Sequence, residues 1–488
     1  MTEPSPRPAA GGASGQIVRG LWWVGSLRSV GQAVSWVATV AVARVLVPND
    51  YGLVAMAMVF VNIAQVLADF GIGSTVVAMQ DLNRREVEEL HAASILLGGV
   101  ACAVILVCAW PISTFYGQRP VAAVVAALGL VVFMNGAAAV PAARLAKDLD
   151  YAGMAMPDLL RNVVGAVSAL GLALSGAGVW ALVASQLTGA AAAFLYVLRR
   201  APTRVTRPQS GRFREALDYS KETMLSRLAW MFYQGMPALL GGRILGAGPL
   251  GQYTFPYTLA SMPGDKLATV VMQVAQPVLA RHQADRAALK ALLSRIVESL
   301  AFLTWPILAG LALVADPGVT VVFGEKWAGA VTPLRLLAIF NMSVALFAPF
   351  AVVCLVTGAA RRNRQISVLG AIILPACFWT GATVGGPSGL AAAWSVGLPL
   401  FGIPWMAFLR RGIGYRWTEL GGALRAPALA TAGMTVVVVP ILLLPVMSDV
   451  ARLVSAVAAG AAVFIAIAAI TRGRMLRRFV STLRRQAD

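Results

Sequence analysis

The stretch YGLVAMAMVFVNIAQVLADFGIGSTVVA, residues 51–78, decides the fold class. Its 28 residues contain a single charged side chain, that of Asp69. A helix needs about 20 predominantly apolar residues to cross a bilayer, so the stretch predicts a transmembrane helix. Its carboxylate needs an explanation, because a charge in hydrocarbon costs about 3 kcal/mol even on insertion-based scales.

The composition of the whole chain also indicates a membrane protein. The 488 residues are 58% hydrophobic and 12% charged, whereas soluble domains have about a quarter of their residues charged. This is too little polar surface for a water-soluble protein of this length. The four cysteines all fall in apolar runs, which does not indicate a disulfide scaffold or redox chemistry. They are Cys102, Cys108, Cys354 and Cys377.

Apolar runs of sufficient length predict fourteen transmembrane helices. Residues 1–16 are rich in Pro, Gly and Ser, and the run that follows is longer than a signal-peptide core and is interrupted by Arg28. We therefore expect a disordered tail and a retained first helix. The predicted spans are residues 20–46, 51–78, 92–116, 120–141, 157–175, 178–198, 222–245, 250–279, 292–315, 333–357, 366–384, 389–409, 427–447 and 451–471.

The distribution of basic residues predicts that both termini are cytoplasmic. With the N-terminus inside, 30 of the 40 lysines and arginines fall in cytoplasmic segments and five in outer loops, as the positive-inside rule requires. The net charge of +19 then reflects topology, and its dispersal does not indicate nucleic-acid binding. The predicted segments are a cytoplasmic tail (1–16), an N-terminal lobe of six helices (17–198), a basic linker (199–221), a C-terminal lobe of six helices (222–409), two extra helices (410–471) and a basic tail (472–488).

Matching blocks predict an internal repeat. ARVLVPNDYGLV, residues 43–54, aligns with GRILGAGPLGQY, residues 242–253, at an offset of 199 residues, and two later blocks align in order at offsets of 207 and 211. Because six helices per unit is an even number, the two units have the same orientation and are parallel repeats. The predicted fold is an all-α membrane protein of about fourteen helices, with two six-helix lobes and two extra C-terminal helices.

Four stretches carry a resemblance to a known family. They are ARVLVPNDYGLVAMA (43–57), LADFGIGSTVV (67–77), VAQPVLARHQAD (274–285) and GEKWAGAVTPLRLLAIF (324–340). Together with the repeat and the number of spans, they resemble the polysaccharide-transporter branch of the MOP superfamily, the Wzx-type lipid-linked oligosaccharide flippases.

The resemblance implies both a mechanism and a setting. It implies two lobes around a central cavity that opens alternately to either side and moves an undecaprenyl-pyrophosphate-linked oligosaccharide across a bacterial inner membrane. A polysaccharide polymerase and a chain-length regulator are the implied protein partners. Drug exporters of the same superfamily share the architecture, so a cation-coupled exporter of drugs or other small molecules is the alternative.

The carboxylate in the second span has a predicted partner. Arg28 lies about 12 Å along the first helix from its inner end, and Asp69 lies about 13.5 Å from the same end of the second helix, at a rise of about 1.5 Å per residue. Equal depth on adjacent helices favours an ion pair. Two alternatives remain open: Asp69 caps a break in DFGIGS, or it binds H⁺ or Na⁺.

The repeat predicts a substrate site. Position 28 plus the offset of 199 is Arg227, so the first helix of each lobe carries an arginine at a corresponding depth. Guanidinium groups bind phosphate oxygens in pairs and keep their charge. We therefore predict that Arg28, Arg227 and Lys266 bind the pyrophosphate, with Gln32 and Gln234 near the sugars. Alternatively, the two arginines extend to the inner surface.

Three acidic residues are predicted to couple an ion or to form ion pairs. They are Asp69, Asp265 and Glu298, and the last has Arg295 three residues before it as a possible partner. We expect no enzyme and no cofactor, because the longest predicted outer loop has only 17 residues, 316–332, and no catalytic or phosphate-binding motif is recognisable. H⁺ and Na⁺ are the two candidate ions to which transport would be coupled.

Overall fold

The computed structural model describes residues 31–32, 34–79, 81–148, 150–206, 228, 231–232, 234–444 and 447–487. All regular secondary structure in these residues is helical. Ten of the helices described are long and apolar enough to cross a membrane. The prediction of an all-α membrane protein is therefore confirmed. The chain divides into two compact units between Leu239 and Leu240, beyond the predicted linker at 199–221.

Helix starts in the first unit follow local capping rules. Pro48 and Pro120 occupy the first turns of their helices, where a missing N–H costs little. Asn83 accepts a hydrogen bond from the Glu86 N–H at 2.9 Å, and the Glu86 carboxylate accepts one from the Asn83 N–H at 2.8 Å, which is a capping box. The helices are α1 (Val34–Val45), α2 (Pro48–Asp69), α3 (Ile72–Ala78), α4 (Arg84–Tyr116), α5 (Pro120–Lys147), α6 (Tyr151–Leu174) and α7 (Val179–Arg200).

The division between the units falls within α8, residues 234–245. The long helix α9 follows at once and contains three prolines, Pro256, Pro263 and Pro277. The remaining helices are α9 (Ala247–Arg281), α10 (Arg286–Leu313), α11 (Ala315–Phe323), α12 (Val331–Val356), α13 (Ala360–Ala393), α14 (Gly397–Ile413), α15 (Trp417–Leu443) and α16 (Asp449–Ala487), with 3₁₀ turns at Glu325–Ala330 and Trp394–Val396.

The stretch 51–78 is not one continuous helix. Phe70 and Gly71 both adopt the left-handed conformation, with φ of 46° and 74°, and they separate α2 from α3. Glycine reaches this region without steric cost, whereas a residue with a β-carbon rarely does. The sequence analysis gave a helix break in DFGIGS as one alternative explanation of Asp69, and this break is present. Asp69 is the last residue of α2, directly before the break.

A second break divides α13. Gly386 has φ 56° and ψ −137°, so the chain turns between the two arms of this element. The arms cross closely, because a β-carbon on Gly389 would overlap the carbonyl oxygen of Gly381. The break lies between the spans predicted at 366–384 and 389–409.

Replacing Gly389 with alanine is expected to destabilise the protein by about 1–3 kcal/mol, as overpacking does. The new β-carbon can be accommodated only by moving the backbone of the opposite arm. Gly385→Ala is the matched control, because Gly385 lies in the same turn with open space around it. Thermal unfolding in detergent should show a lower Tm for Gly389→Ala alone; equal Tm values would contradict the close crossing.

The predicted outer loop 316–332 is mostly helical, and this corrects the sequence interpretation. Helix α11 and the 3₁₀ turn Glu325–Ala330 occupy most of it. Trp327 is fully buried and packs against Phe255, with ring centroids 4.5 Å apart. Apolar side chains such as Trp327 anchor this segment to the second unit. The sequence interpretation as a loop rested on the length of the segment and did not take these side chains into account.

Helix α15 docks on α10 in the second unit. Lys290 of α10 forms an ion pair with Glu419 of α15. The fully buried Tyr415 accepts a hydrogen bond from Ser294 at 3.4 Å. Burial raises the pKa of Tyr415, so its phenol stays neutral at physiological pH. The first of the two extra helices is thus held to the second unit by both polar and apolar contacts.

Candidate functional site

A chain of polar side chains crosses three helices inside the first unit. Arg161 of α6 donates a hydrogen bond to Asn135 Oδ1 of α5 at 2.8 Å. Asn135 Nδ2 in turn donates to Gln65 Oε1 of α2 at 3.0 Å. A guanidinium has only donors, so it fixes the direction of the whole chain. The chain holds the arginine in one orientation.

This chain lies at membrane depth. Arg161 is ten residues from the start of α6, about 15 Å along the helix, and it falls within the predicted span 157–175. Asn135 and Gln65 are half-buried, but the Arg161 side chain is exposed. An exposed guanidinium at this depth is stable only next to water or an anionic group, since hydrocarbon would destabilise it.

Close helix packing sets the position of Arg161. An ideal β-carbon on Gly189 of α7 would lie 2.6 Å from the Arg161 carbonyl oxygen. One on Gly165 of α6 would lie 2.9 Å from the Ser185 carbonyl oxygen of α7. Small residues allow membrane helices to approach in this way. The two glycines therefore fix α6 against α7 and give the arginine a rigid base.

The second unit carries a different polar feature, on α9. Lys266 and Asp265, two predicted site residues, are both exposed near the middle of this helix. Ser261 Oγ donates to the Thr258 carbonyl oxygen at 3.4 Å, and Thr269 Oγ1 donates to the Asp265 carbonyl oxygen at 2.6 Å. α9 is 35 residues long but is absent from the ten apolar spans found in the described residues, because its polar residues lower its hydropathy.

The other predicted site residues have mixed outcomes. Arg28 and Arg227 lie outside the described residues, so their convergence stays a prediction. Gln32 and Gln234 are half-buried and helical, and the first lies beside Gly31, whose β-carbon would be 3.2 Å from Leu159 of α6. The first helix thus packs on the helix that carries Arg161. Asp69 and Glu298 are half-buried, in different units, and both are engaged in contacts.

Sequence reasoning missed Arg161 and Asn135 as site residues. One signal was present, because Arg161 is a basic residue inside the predicted span 157–175. Asn135 gave less indication, since a single amide in a span is common between packed helices. In the part of the chain that the structure describes, no group of three or more His, Cys, Asp or Glu residues is placed to hold a metal ion.

A family model described as polysaccharide biosynthesis protein matches residues 41–332, more than half of the chain. The chain belongs to this family. The predicted resemblance to Wzx-type polysaccharide transporters of the MOP superfamily is confirmed. Its relatives include the lipopolysaccharide biosynthesis protein WzxC of Escherichia coli, 24% identical over 62% of each chain.

Two further relatives come from other bacteria. The succinoglycan biosynthesis transport protein ExoT of Rhizobium meliloti is 26% identical over 66% of each chain. The teichuronic acid biosynthesis protein TuaB of Bacillus subtilis is 25% identical over 61% of this chain and 62% of its own. This family member thus spans less than two thirds of the length of these relatives, between 62% and 66%.

Solved structures show the same fold. The lipid II flippase MurJ, in an inward closed conformation, superposes with a TM-score of 0.74 at 11% identity, over 92% of this chain and 99% of its own. An inward-facing multidrug resistance MATE transporter of the MOP superfamily gives a TM-score of 0.63 at 15% identity, over 78% and 94%. The family member described here therefore has the fold of MOP superfamily transporters.

Proposed function

We propose that the protein is a flippase that moves an undecaprenyl-pyrophosphate-linked oligosaccharide from the cytoplasmic to the periplasmic leaflet. The relatives named for lipopolysaccharide biosynthesis and succinoglycan transport support this substrate class. The observation that carries the proposal is the exposed Arg161 guanidinium, held within a predicted membrane span by Asn135.

The chemistry of the substrate fits this side chain. A pyrophosphate carries at least two negative charges within a few bonds, and it must leave water to cross the membrane. A guanidinium that is already oriented binds phosphate oxygens with little further loss of entropy. Arg161 would then compensate the anion within the membrane, while alternating access exposes it first to the cytoplasm and then to the periplasm. Arg28, Arg227 and Lys266 remain predicted additional cations.

The proposed architecture follows the sequence prediction. It has fourteen spans in two parallel six-helix repeats around a central cavity, with two extra helices, in a bacterial inner membrane. The break at Gly386 supports dividing the long α13–α14 region into two spans. An even number of spans would leave both termini on the same side, and the positive-inside charge bias supports the cytoplasm.

Reporter fusions test this topology. Positive-inside charge bias sets the expected orientation, and alkaline phosphatase and green fluorescent protein are the paired outer and inner reporters. A periplasmic signal at Thr203 would contradict the lobe assignment. Fusions after Gln80, Thr203, Gln283, Arg362 and Arg485 should report cytoplasm, and fusions after Asn49, Ala177, Gly329 and Gly385 should report the outer face.

Energy coupling and partners complete the proposal. Asp69, Asp265 and Glu298 are the proposed groups for H⁺ or Na⁺ coupling or for charge pairing. We expect no enzymatic activity. A polysaccharide polymerase and a chain-length regulator are the proposed partners, as the family resemblance implies.

Depletion of the protein tests the function. Lipid-linked oligosaccharide should accumulate in the cytoplasmic leaflet, where a membrane-impermeant glycosidase added to inside-out vesicles can digest it. Unchanged lipid-linked sugar with increased sensitivity to cationic drugs would contradict the proposal and favour the small-molecule exporter.

A further inference from the structure

Exposed polar residues of α9 recur along one face of the helix. Thr258, Asp265, Thr269 and Gln276 are all exposed and are spaced by seven, four and seven residues, so they fall on one face of a helix with about 3.6 residues per turn. From the first to the last, this polar line is about 27 Å long at about 1.5 Å per residue. It therefore extends across most of a hydrocarbon core of about 30 Å.

Other helices of the protein expose apolar lines instead. On α4, the exposed residues include Leu96, Val100, Val104, Val107 and Trp110, each at least half exposed. On α9 between 258 and 276, every side chain that the structure describes as exposed is polar. The α4 line suits lipid chains, whereas the α9 line would leave polar groups without hydration if it faced lipid. The exposed charges of Asp265 and Lys266 therefore favour contact between the α9 line and water.

The chemistry of the line suits hydroxyl-rich ligands. Thr258 and Thr269 each donate their own hydroxyl hydrogen to the carbonyl four residues earlier, at 3.0 and 2.6 Å, so oxygen lone pairs remain for an incoming donor. Asp265 adds carboxylate acceptors, and Lys266 and Gln276 add donors. One acid and one base give the line no net charge, so it does not favour an anion over a neutral ligand.

We propose that this line on α9 binds the saccharide portion of the substrate, with successive sugar hydroxyls hydrogen-bonded along the helix. The proposal rests on the flippase function and adds a division of roles. Arg161 is proposed for the anionic linkage, and α9 is proposed independently for the sugars. A line of this length can contact several sugar residues, so its contribution grows with the length of the oligosaccharide.

The test compares two substrates on the same lipid carrier. Thr258→Val with Thr269→Val removes both hydroxyls and keeps side-chain shape. In proteoliposomes, this double variant should move an undecaprenyl-pyrophosphate-linked tetrasaccharide about tenfold more slowly than wild type, since each neutral hydrogen bond contributes a few-fold. It should move the corresponding monosaccharide at the wild-type rate. The serine double variant, which retains the hydroxyls, should restore tetrasaccharide transport.

The matched control lies on α13 of the same unit. Thr380 and Thr383 are exposed and donate to the carbonyl four residues earlier, as the α9 threonines do, but they lie beside the exposed Trp379 and Val384. Thr380→Val with Thr383→Val should change neither rate. Equal loss of both substrates in the α9 variant, or no loss of either, would overturn the saccharide assignment. Failure of the wild-type protein to move either substrate would instead refute the flippase function.

Discussion

Replacement of Arg161 with glutamine is expected to lower export of the lipid-linked oligosaccharide by at least about tenfold, with normal amounts of protein in the membrane. Charge-assisted hydrogen bonds contribute roughly 1.5–3 kcal/mol each, and about 1.4 kcal/mol corresponds to tenfold. Glutamine keeps a donor for Asn135 but has no charge for phosphate. Arg161→Lys should give an intermediate rate, because a lysine keeps the charge and lacks the paired donors.

The rate should be measured in proteoliposomes as the fraction of labelled substrate that becomes accessible outside. Arg200→Gln is the matched control. Arg200 also lies in the first unit and donates to a single partner, Asp150, at 2.9 Å, but it is at the end of α7 and not at membrane depth. This variant should transport normally. Wild-type transport by Arg161→Gln would contradict the proposed role of the guanidinium.

The packing and hydrogen bonding of Arg161 make this residue suited to binding an anion in the first unit. Its carbonyl oxygen is packed against Gly189 and its side chain is tied to Asn135, so neither end of the residue is free to move far. A group that must meet a charged substrate repeatedly benefits from such pre-organisation, because less side-chain entropy is lost on each binding event.

The fold class could be predicted from the sequence because membrane insertion imposes a strong and simple pattern. A run such as residues 51–78 has few alternatives once its length and hydrophobicity are fixed. The break at Phe70 was only one of several alternatives, since a left-handed residue with a β-carbon depends on tertiary packing. The helical outer segment was missed because its anchor, Trp327, contacts Phe255, far away in the sequence.

The site was harder to predict for the same reason. Gln65, Asn135 and Arg161 are separated by 70 and 26 residues along the chain, and no local spacing rule links them. In the sequence, arginines were predicted as site residues when the repeat gave them a counterpart in the other lobe. Arg161 was not selected by this criterion. The polar line on α9 is local and has helical periodicity. It could have been found from sequence by comparing the exposed faces of predicted spans.

Substituting Asn135 with aspartate is expected to abolish export almost as completely as Arg161→Gln, yet to leave the protein as abundant as wild type. The new carboxylate would keep the hydrogen bond from Arg161 and add an opposite charge at the distance of a direct ion pair, now 2.8 Å between Oδ1 and the guanidinium. The guanidinium would then be neutralised before substrate arrives. Gln65 can still bond to the new carboxylate by turning its amide, so the polar chain stays satisfied.

This variant separates a positioning role from a packing role. If Asn135 only joined α2, α5 and α6, the stronger pair would preserve transport, and Asn135→Ala would be the damaging change. If it orients Arg161 for an anion, Asn135→Ala should retain more transport than Asn135→Asp, because an arginine with a weakened tether still carries a free charge. Combining Asn135→Asp with Arg161→Gln leaves a carboxylate with no guanidinium beside it, so the double variant should transport no better than either single variant and should be less abundant. Transport rate and membrane abundance, measured together for the three variants, distinguish these outcomes.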